Sequence, residues 1–367
     1  MKLLYIVPRL GGAGGLQRIL LLKAGYLAKK KGYDVTILVT NPDTQPILFP
    51  MPESIAIKHI LPQSGNPLSY FFAYRKAIAK NVSDVQPDAV VVCDNGLKSF
   101  FLKNVIPLGM PVVYEMHASK ALIEDEIGKN IITRLFQKPI LVLFKKRLGE
   151  YTKFVAPTEN GVAEWGLTNG MVLPNPLWFH NSLDNSLVNK KIVVMGRHAP
   201  QKGYERMFTL WKRVAQIHPD WVLEIFGTDN PDHSLKEMAT SLQLKNIVFK
   251  EPVKDIEHEY LNAALSIMTS YSEPFGMVLI EAMACGVPCV AYDCPSGPRT
   301  IIRDGENGFL IPDGDEDTFV NRLEQLMQDH ELRKKLGVAA KETASRYDIE
   351  TIMAQWDKLF KSLIKGA

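Results

Sequence analysis

Residues 3–39, LLYIVPRLGGAGGLQRILLLKAGYLAKKKGYDVTILV, decide the fold. Leu3 to Val7 is a short, continuous apolar run that stops at Pro8 and Arg9, the pattern of a strand covered on both faces. The cluster Gly11-Gly12-Ala13-Gly14-Gly15 follows. From Leu16 to Lys31 the spacing of Leu16, Ile19, Leu20 and Lys23 predicts a helix, and Gly32 supplies its C-terminal stop. Val35 to Val39 is a second apolar run. Strand, glycine turn, helix and strand in that order make a βαβ unit, and so an α/β protein with a parallel sheet.

The same rhythm continues outward. Ala89 to Cys93 and Val112 to Tyr114 are predicted strands. After Asn175-Pro176 the pattern restarts, with strands at Lys191–Met195, Trp221–Phe226, Ile247–Phe249, Leu265–Thr269 and Pro288–Ala291 and helices at Tyr204–Ile217 and Gly276–Cys285. Gly196 and Gly227 close the first two of those strands. We therefore expect two Rossmann-like domains, 1–174 and 175–349, with the boundary near 172 to 188. The stretch Ile349 to Ile364 has helical spacing and is a candidate to pack back, within 350–367, on the first domain.

The composition agrees. The chain has 367 residues, of which 46% are hydrophobic and 23% charged, proportions that exclude a disordered or collagen-like protein. That length suits two domains with independent cores. The four cysteines, Cys93, Cys285, Cys289 and Cys294, are too few for a disulfide scaffold. The opening apolar run is too short for a secretion signal or a membrane span, so a cytoplasmic protein is expected. The net charge of +3 divides into +8 over residues 1–180 and −5 over 181–367, as if the two halves met different partners.

Two segments are candidate sites. Glycines between a strand and a helix let the backbone approach a phosphate or sugar, which makes Gly12, Gly14 and Gly15 donor-binding candidates. A dinucleotide fingerprint would need glycine where Gln17 stands and an acidic residue at the end of the second strand, whereas Asp34 lies at its start, so a dehydrogenase is disfavoured. In the second domain, SYSEPFGMVLIEAMACGVP (Ser270 to Pro288) sets Glu273 and Glu281 eight residues apart around a Pro-Phe-Gly turn. The free N–H groups around Gly276, Met277 and Val278 form a positive helix end suited to phosphate. Glu273 can then accept hydrogen bonds from sugar hydroxyls and Glu281 from a ribose, since one carboxylate can accept two vicinal hydroxyls.

This Glu-x7-Glu block resembles that of the retaining glycosyltransferases of family 4, which have the GT-B fold of two Rossmann-like domains facing across a cleft. GRHAPQKG (Gly196 to Gly203) and CPSGPRTIIRDGENGFLI (Cys294 to Ile311) resemble the family too, the latter its bacterial capsule, exopolysaccharide and teichoic-acid enzymes. The resemblance implies that Arg197 and Lys202 neutralise the donor diphosphate, as chemistry with an anionic leaving group requires. It implies that Glu273 touches the donor sugar, that Glu281 holds the ribose, and that the backbone at Val253 reads the base. Phe275 and Gly227 fall in the matching donor-side segments. His117, after a predicted strand, matches a family histidine close to the reacting centre, so the catalytic candidates are His117, Arg197, Lys202 and Glu273. The chain departs from the pattern at Thr300, where relatives commonly carry Glu, and at His198, a position that is usually apolar.

Other signals read as structure. Asp313, Asp315, Asp317 and Glu324 mimic a calcium loop, but Thr318 replaces the required glycine and Phe319, Leu323 and Leu326 have helical spacing, so this is an acidic helix start. The cysteines lack zinc spacing and are expected in or near the core. Arg197 and Lys202 supply the countercharge a metal would bring, so no metal and no cofactor is expected, and no nucleic-acid module is recognisable. Residues 131–148, IITRLFQKPILVLFKKRL, combine bulky apolar residues with Arg134, Lys138, Lys145, Lys146 and Arg147, a composition that suits peripheral contact with an anionic membrane as well as it suits a buried helix with a basic edge. The expected activity is transfer of a sugar from a nucleotide-diphospho-sugar, most simply a UDP-sugar, to a saccharide or lipid-linked saccharide. A UDP-sugar epimerase and a non-catalytic sugar-nucleotide-binding subunit are the rivals.

Overall fold

A computed structural model describes residues 1–12, 14–43, 46–60, 66–93, 99, 102–128, 134–228 and 234–365. By contact the chain divides into two units. One is Met1–Pro176 together with Glu350–Ala367, and the other is Leu177–Ile349.

The first unit holds a parallel sheet of β1 (Lys2–Val7), β2 (Asp34–Val39), β3 (Ile55–His59), β4 (Ala89–Val92), β5 (Val112–Glu115), β6 (Lys153–Ala156) and β7 (Gly170–Val172), in the order β3-β2-β1-β4-β5-β6-β7. Tyr5 pairs with Ile37 on one side and Val91 on the other. β1, β2, β4 and β5 are almost wholly buried, as expected for strands covered by helices on both faces. The second unit repeats the plan with β8 (Lys191–Met195), β9 (Val222–Phe226), β10 (Ile247–Lys250), β11 (Leu265–Met268), β12 (Cys289–Tyr292) and β13 (Gly308–Ile311), in the order β10-β9-β8-β11-β12-β13. Both are Rossmann-like sheets, and the strand order reverses between β1 and β4 in one and between β8 and β11 in the other. Ligands of open α/β sheets bind outside the strand ends at such a reversal.

Local chemistry sets the helix ends. The helix Gly15–Lys31 stops at Gly32 in the left-handed conformation (φ 67°). Asp315 caps Glu316–Gln328 by accepting the Thr318 N–H at 3.0 Å, so the acidic run is a helix start. Cys93, Cys285, Cys289 and Cys294 are buried and unbridged. Burial pushes the Cys285 and Cys294 thiols up to about 12.

The last helix, Ile349–Lys365, closes the first unit. Its Glu350 and Asp357 accept hydrogen bonds from the Tyr26 and Tyr33 hydroxyls, the latter at 2.6 Å. Trp356 and Phe360 are buried, with the Lys23 ammonium 3.9 Å from the Trp356 ring centroid. Among the described residues no helix is long and apolar enough to cross a membrane.

Candidate active site

In the second unit the chain leaves β8 at Gly196, passes Arg197 and tightens into a 3-10 turn, Pro200–Lys202. Gly203 follows with φ 63°, and a Cβ there would lie 2.3 Å from the Thr269 carbonyl oxygen, so glycine is required on both counts. That contact welds the loop after β8 to the loop after β11. The Thr269 hydroxyl donates to the Gly203 carbonyl at 2.9 Å, and the Tyr271 N–H to the Gln201 carbonyl at 2.8 Å. The Arg206 guanidinium donates to the carbonyls of Thr269 and Ser270 and, at 2.7 Å, to Asp313, with the Tyr271 ring 4.0 Å away. Sequence reasoning missed Arg206. Its one signal was an arginine in the first turn of a strongly amphipathic helix.

The two welded loops bring Lys202 to Glu273, which is 6% exposed. The Lys202 ammonium pairs with Glu273 Oε1, and the Ser270 hydroxyl donates to the same oxygen at 2.7 Å. Lys202, Ser270, Glu273 and Val278 line one small recess with Thr269. Arg197 is exposed on the same loop. Beneath Glu273 runs the Cys294–Pro298 segment, where the Gly297 N–H donates to the Glu273 carbonyl at 2.8 Å and a Cβ on Gly297 would lie 2.2 Å from the Phe275 carbonyl oxygen. The motif residues downstream thus act by supporting the Glu273 loop. Thr300 is exposed and donates to the Ser296 carbonyl at 3.2 Å, and the His198 ring sits edge-on to Tyr204.

Gly276, at φ 97°, turns the chain into the helix Met277–Ala284, whose N-terminus carries no side-chain cap. Met277 and Val278 are half-buried there, whereas the Phe275 ring is 2% exposed and packs edge-on to Tyr347. Glu281 stands one turn in, 4% exposed, and its Oε1 accepts the Trp178 indole N–H at 2.8 Å. Part of the acceptor capacity assigned to vicinal hydroxyls is therefore used by the protein, and Trp178 is a site neighbour that the sequence did not flag. The Gly227 N–H is taken by the Lys250 carbonyl, and a Cβ there would lie 2.1 Å from the Gly196 carbonyl oxygen, so chain packing alone demands this glycine. Val253 is half-buried against the core of the second unit.

In the first unit the glycine loop follows β1. The Leu10 and Gly11 N–H groups both donate to Asp43 Oδ1 at 2.8 Å, and the Gly12 N–H to the Pro46 carbonyl at 3.0 Å. The backbone of this loop is thus partly spoken for, and Gly14 and Gly15 stand at the helix start, which carries no side-chain cap. Ala13 of the cluster and residues 131–133 of the basic stretch lie outside the described residues.

His117 follows β5 and reaches back to Glu115, with Nε2 3.0 Å from Oε1. The Lys23 ammonium pairs with the same oxygen, and the Cys93 thiol donates to Oε2 at 3.6 Å. Burial alone would push the Glu115 carboxyl up, but Lys23 and His117 more than offset it and hold it at about 2. The donor atoms of Cys93, Glu115 and His117 lie within 4.8 Å of one another, a spacing a metal could use. The Lys23 ammonium, however, already provides the cation that this carboxylate needs.

Two Rossmann-like units, the second with a lysine–glutamate pair at its strand-order reversal, have the architecture of the GT-B fold. Residues 180–343, rather less than half of the chain, match the family model for glycosyl transferases group 1, so the second unit carries a domain of that kind. It is 27% identical, over 97% of its length and 98% of the other, to an uncharacterized glycosyltransferase of Haemophilus influenzae. It is also 27% identical to the amylovoran biosynthesis glycosyltransferase AmsD of Erwinia amylovora, over 98% of this chain and 99% of that one. Among solved structures, Anabaena HepE in complex with UDP and glucose has the same fold, with a TM-score of 0.78, 20% identity and coverage of 99% of this chain and all of that one.

Proposed function

We propose that the chain is a retaining, family 4 enzyme. It moves a sugar from a nucleotide diphosphate, most simply UDP, to a hydroxyl of a saccharide or lipid-linked saccharide in cell-surface polysaccharide synthesis. The observation that carries this reading is the Lys202–Glu273 pair at the strand-order reversal of the second unit, next to the uncapped helix start at Gly276. AmsD is an amylovoran biosynthesis glycosyltransferase and HepE was solved with UDP and glucose, and these relatives favour this donor and setting.

In the reaction the bond between the anomeric carbon and the diphosphate oxygen breaks and a bond to the acceptor oxygen forms on the same face. The acceptor's proton passes to the departing diphosphate. Arg197, Lys202 and the Met277 helix start stabilise the charge that grows on that group. Glu273 accepts sugar hydroxyls and Glu281 the ribose, and His117 of the first unit is the remaining catalytic candidate. With fixed cations in place, turnover is expected to survive EDTA.

Peripheral membrane attachment belongs to the same reading. On the helix Gln137–Gly149 and just before it, Leu135, Phe136, Val142 and Leu143 are exposed alongside Lys138, Lys145 and Lys146. Apolar wedges between lysines suit an anionic bilayer, where a lipid-linked acceptor would lie. Co-sedimentation with vesicles containing phosphatidylglycerol, reduced by Val142→Glu, is the expected result.

The decisive experiment incubates the chain with a panel of nucleotide sugars and follows release of the nucleotide diphosphate and the anomeric configuration of the product by NMR. An inverted product ends the retaining reading. Interconversion of the donor sugar without an acceptor favours an epimerase, and binding without turnover favours a non-catalytic subunit.

A further inference from the structure

Glu281 is a carboxylate in an apolar setting. It lies in the middle of the helix Met277–Ala284, whose neighbours Leu279, Ile280, Ala282 and Met283 are almost wholly buried. A carboxylate in such surroundings adopts the orientation that its hydrogen-bond donors impose, because unpaired orientations are costly. One of those donors is the Trp178 indole, at 2.8 Å.

The segment that carries the indole is held on both sides. The preceding Leu177 N–H donates to the Tyr347 carbonyl at 2.7 Å. Three residues further on, the buried Asn181 amide donates to the carbonyls of Ala284, at 3.3 Å, and Leu183, at 3.1 Å, while its own oxygen accepts the Leu183 N–H at 2.8 Å. The segment is therefore tied to the C-terminal end of the very helix that carries Glu281. Phe179 packs edge-on to the indole with centroids 5.0 Å apart. Tryptophan has only two side-chain torsions and a single donor, so an indole fixed at both flanks directs that donor along one line.

We propose that Trp178 is the positioning residue of Glu281: by fixing the carboxylate it tunes that group to a ribose diol and sets a preference for ribonucleotide over deoxyribonucleotide donors. The inference rests on the assignment of Glu281 to the ribose. It goes further in naming the group that makes the assignment selective. A carboxylate free to rotate would trade a missing hydroxyl for another contact. A fixed one cannot turn to a new donor when a ribose hydroxyl is absent, so that hydrogen bond is lost in full.

The test measures binding of UDP, GDP and ADP by calorimetry, then of the tightest of them in its 2′-deoxy and 3′-deoxy forms, to wild type, Trp178→Phe and Glu281→Leu. Trp178→Phe keeps the aromatic packing and removes the N–H, and circular dichroism checks its folding. The expected result is about a tenfold loss for the ribonucleotide, the worth of a hydrogen bond to a charged group, and little change for the deoxy form that wild type binds more weakly. Trp178→His, which restores a ring N–H, should recover part of the loss. Equal losses on ribo- and deoxynucleotide, or no loss, overturn the role of Trp178 while the ribose assignment stands, provided Glu281→Leu abolishes the discrimination. If Glu281→Leu keeps the wild-type discrimination, or wild type binds none of the three, the ribose assignment fails and the inference fails with it.

Discussion

Glu115 in the first unit and Glu273 in the second each receive a lysine ammonium, and they do so in different surroundings. The Lys23 and Glu115 side chains are 1% and 4% exposed, and the Trp356 ring lies against the ammonium. Lys202 is 20% exposed above Glu273, at the edge of a recess that continues to the helix start. The first pair is sealed, its carboxylate shared with His117 and Cys93, so its charges face only protein groups and serve to hold the end of β5 and His117. The second is open, so its lysine can exchange a carboxylate for an incoming anion at modest cost, which is what the proposed role of Lys202 requires. The same two residue types thus make a sealed tie or a solvent-accessible pair, according to how far each is buried.

The comparison can be broken by substitution. The largest effect is expected from Lys23→Met, which strands a buried carboxylate and should cost about 3–5 kcal/mol of unfolding free energy in urea titration. The double variant Lys23→Met/Glu115→Gln should recover most of that loss. Lys202→Ala is expected to leave the melting temperature nearly unchanged and to lower turnover about 10²–10³-fold. A large stability loss in this variant, with turnover intact, would erase the distinction between the pairs. A pH series sharpens it further. The Glu115 carboxyl is held at about 2, below its unfolded value, so its contribution is full above roughly pH 4.3 and is lost as pH falls towards 2. The gap in melting temperature between wild type and the double variant should narrow over that window. The smallest effect is expected from Cys93→Ala, which removes a weak donor to Glu115 at 3.6 Å and should cost about 1 kcal/mol by the same titration.

Much of the fold was legible because periodicity reports burial. Strands such as Lys191–Met195 and the helix Tyr204–Ile217 were read at their observed bounds, since glycine and apolar spacing mark them from both sides. The edge strand Ile55–His59 was not read, because an edge strand is half-exposed and its alternation is short. At the site, the motif carried Lys202 and Glu273, yet the residues that steady them were hidden. Arg206 works through backbone carbonyls of a loop 63 positions away, and Trp178 through a carboxylate 103 positions away, and neither separation leaves a local pattern. Lys23 did leave a trace. It occupies a place on the apolar stripe of the first helix, where a charge needs a buried partner.

The helix Ile349–Lys365 completes a unit that begins at Met1, so the first sheet is made early and finished late. A ribosome has already synthesised all of residues 177–349 before the residues that cover Lys23 leave the tunnel. The second unit is contiguous and can close while the first still lacks its Trp356 lid, so the usual N-terminal-first order of folding during synthesis can be reversed in this chain. A nascent chain arrested before residue 350 would carry a complete second unit and a first unit whose central ion pair is still wet.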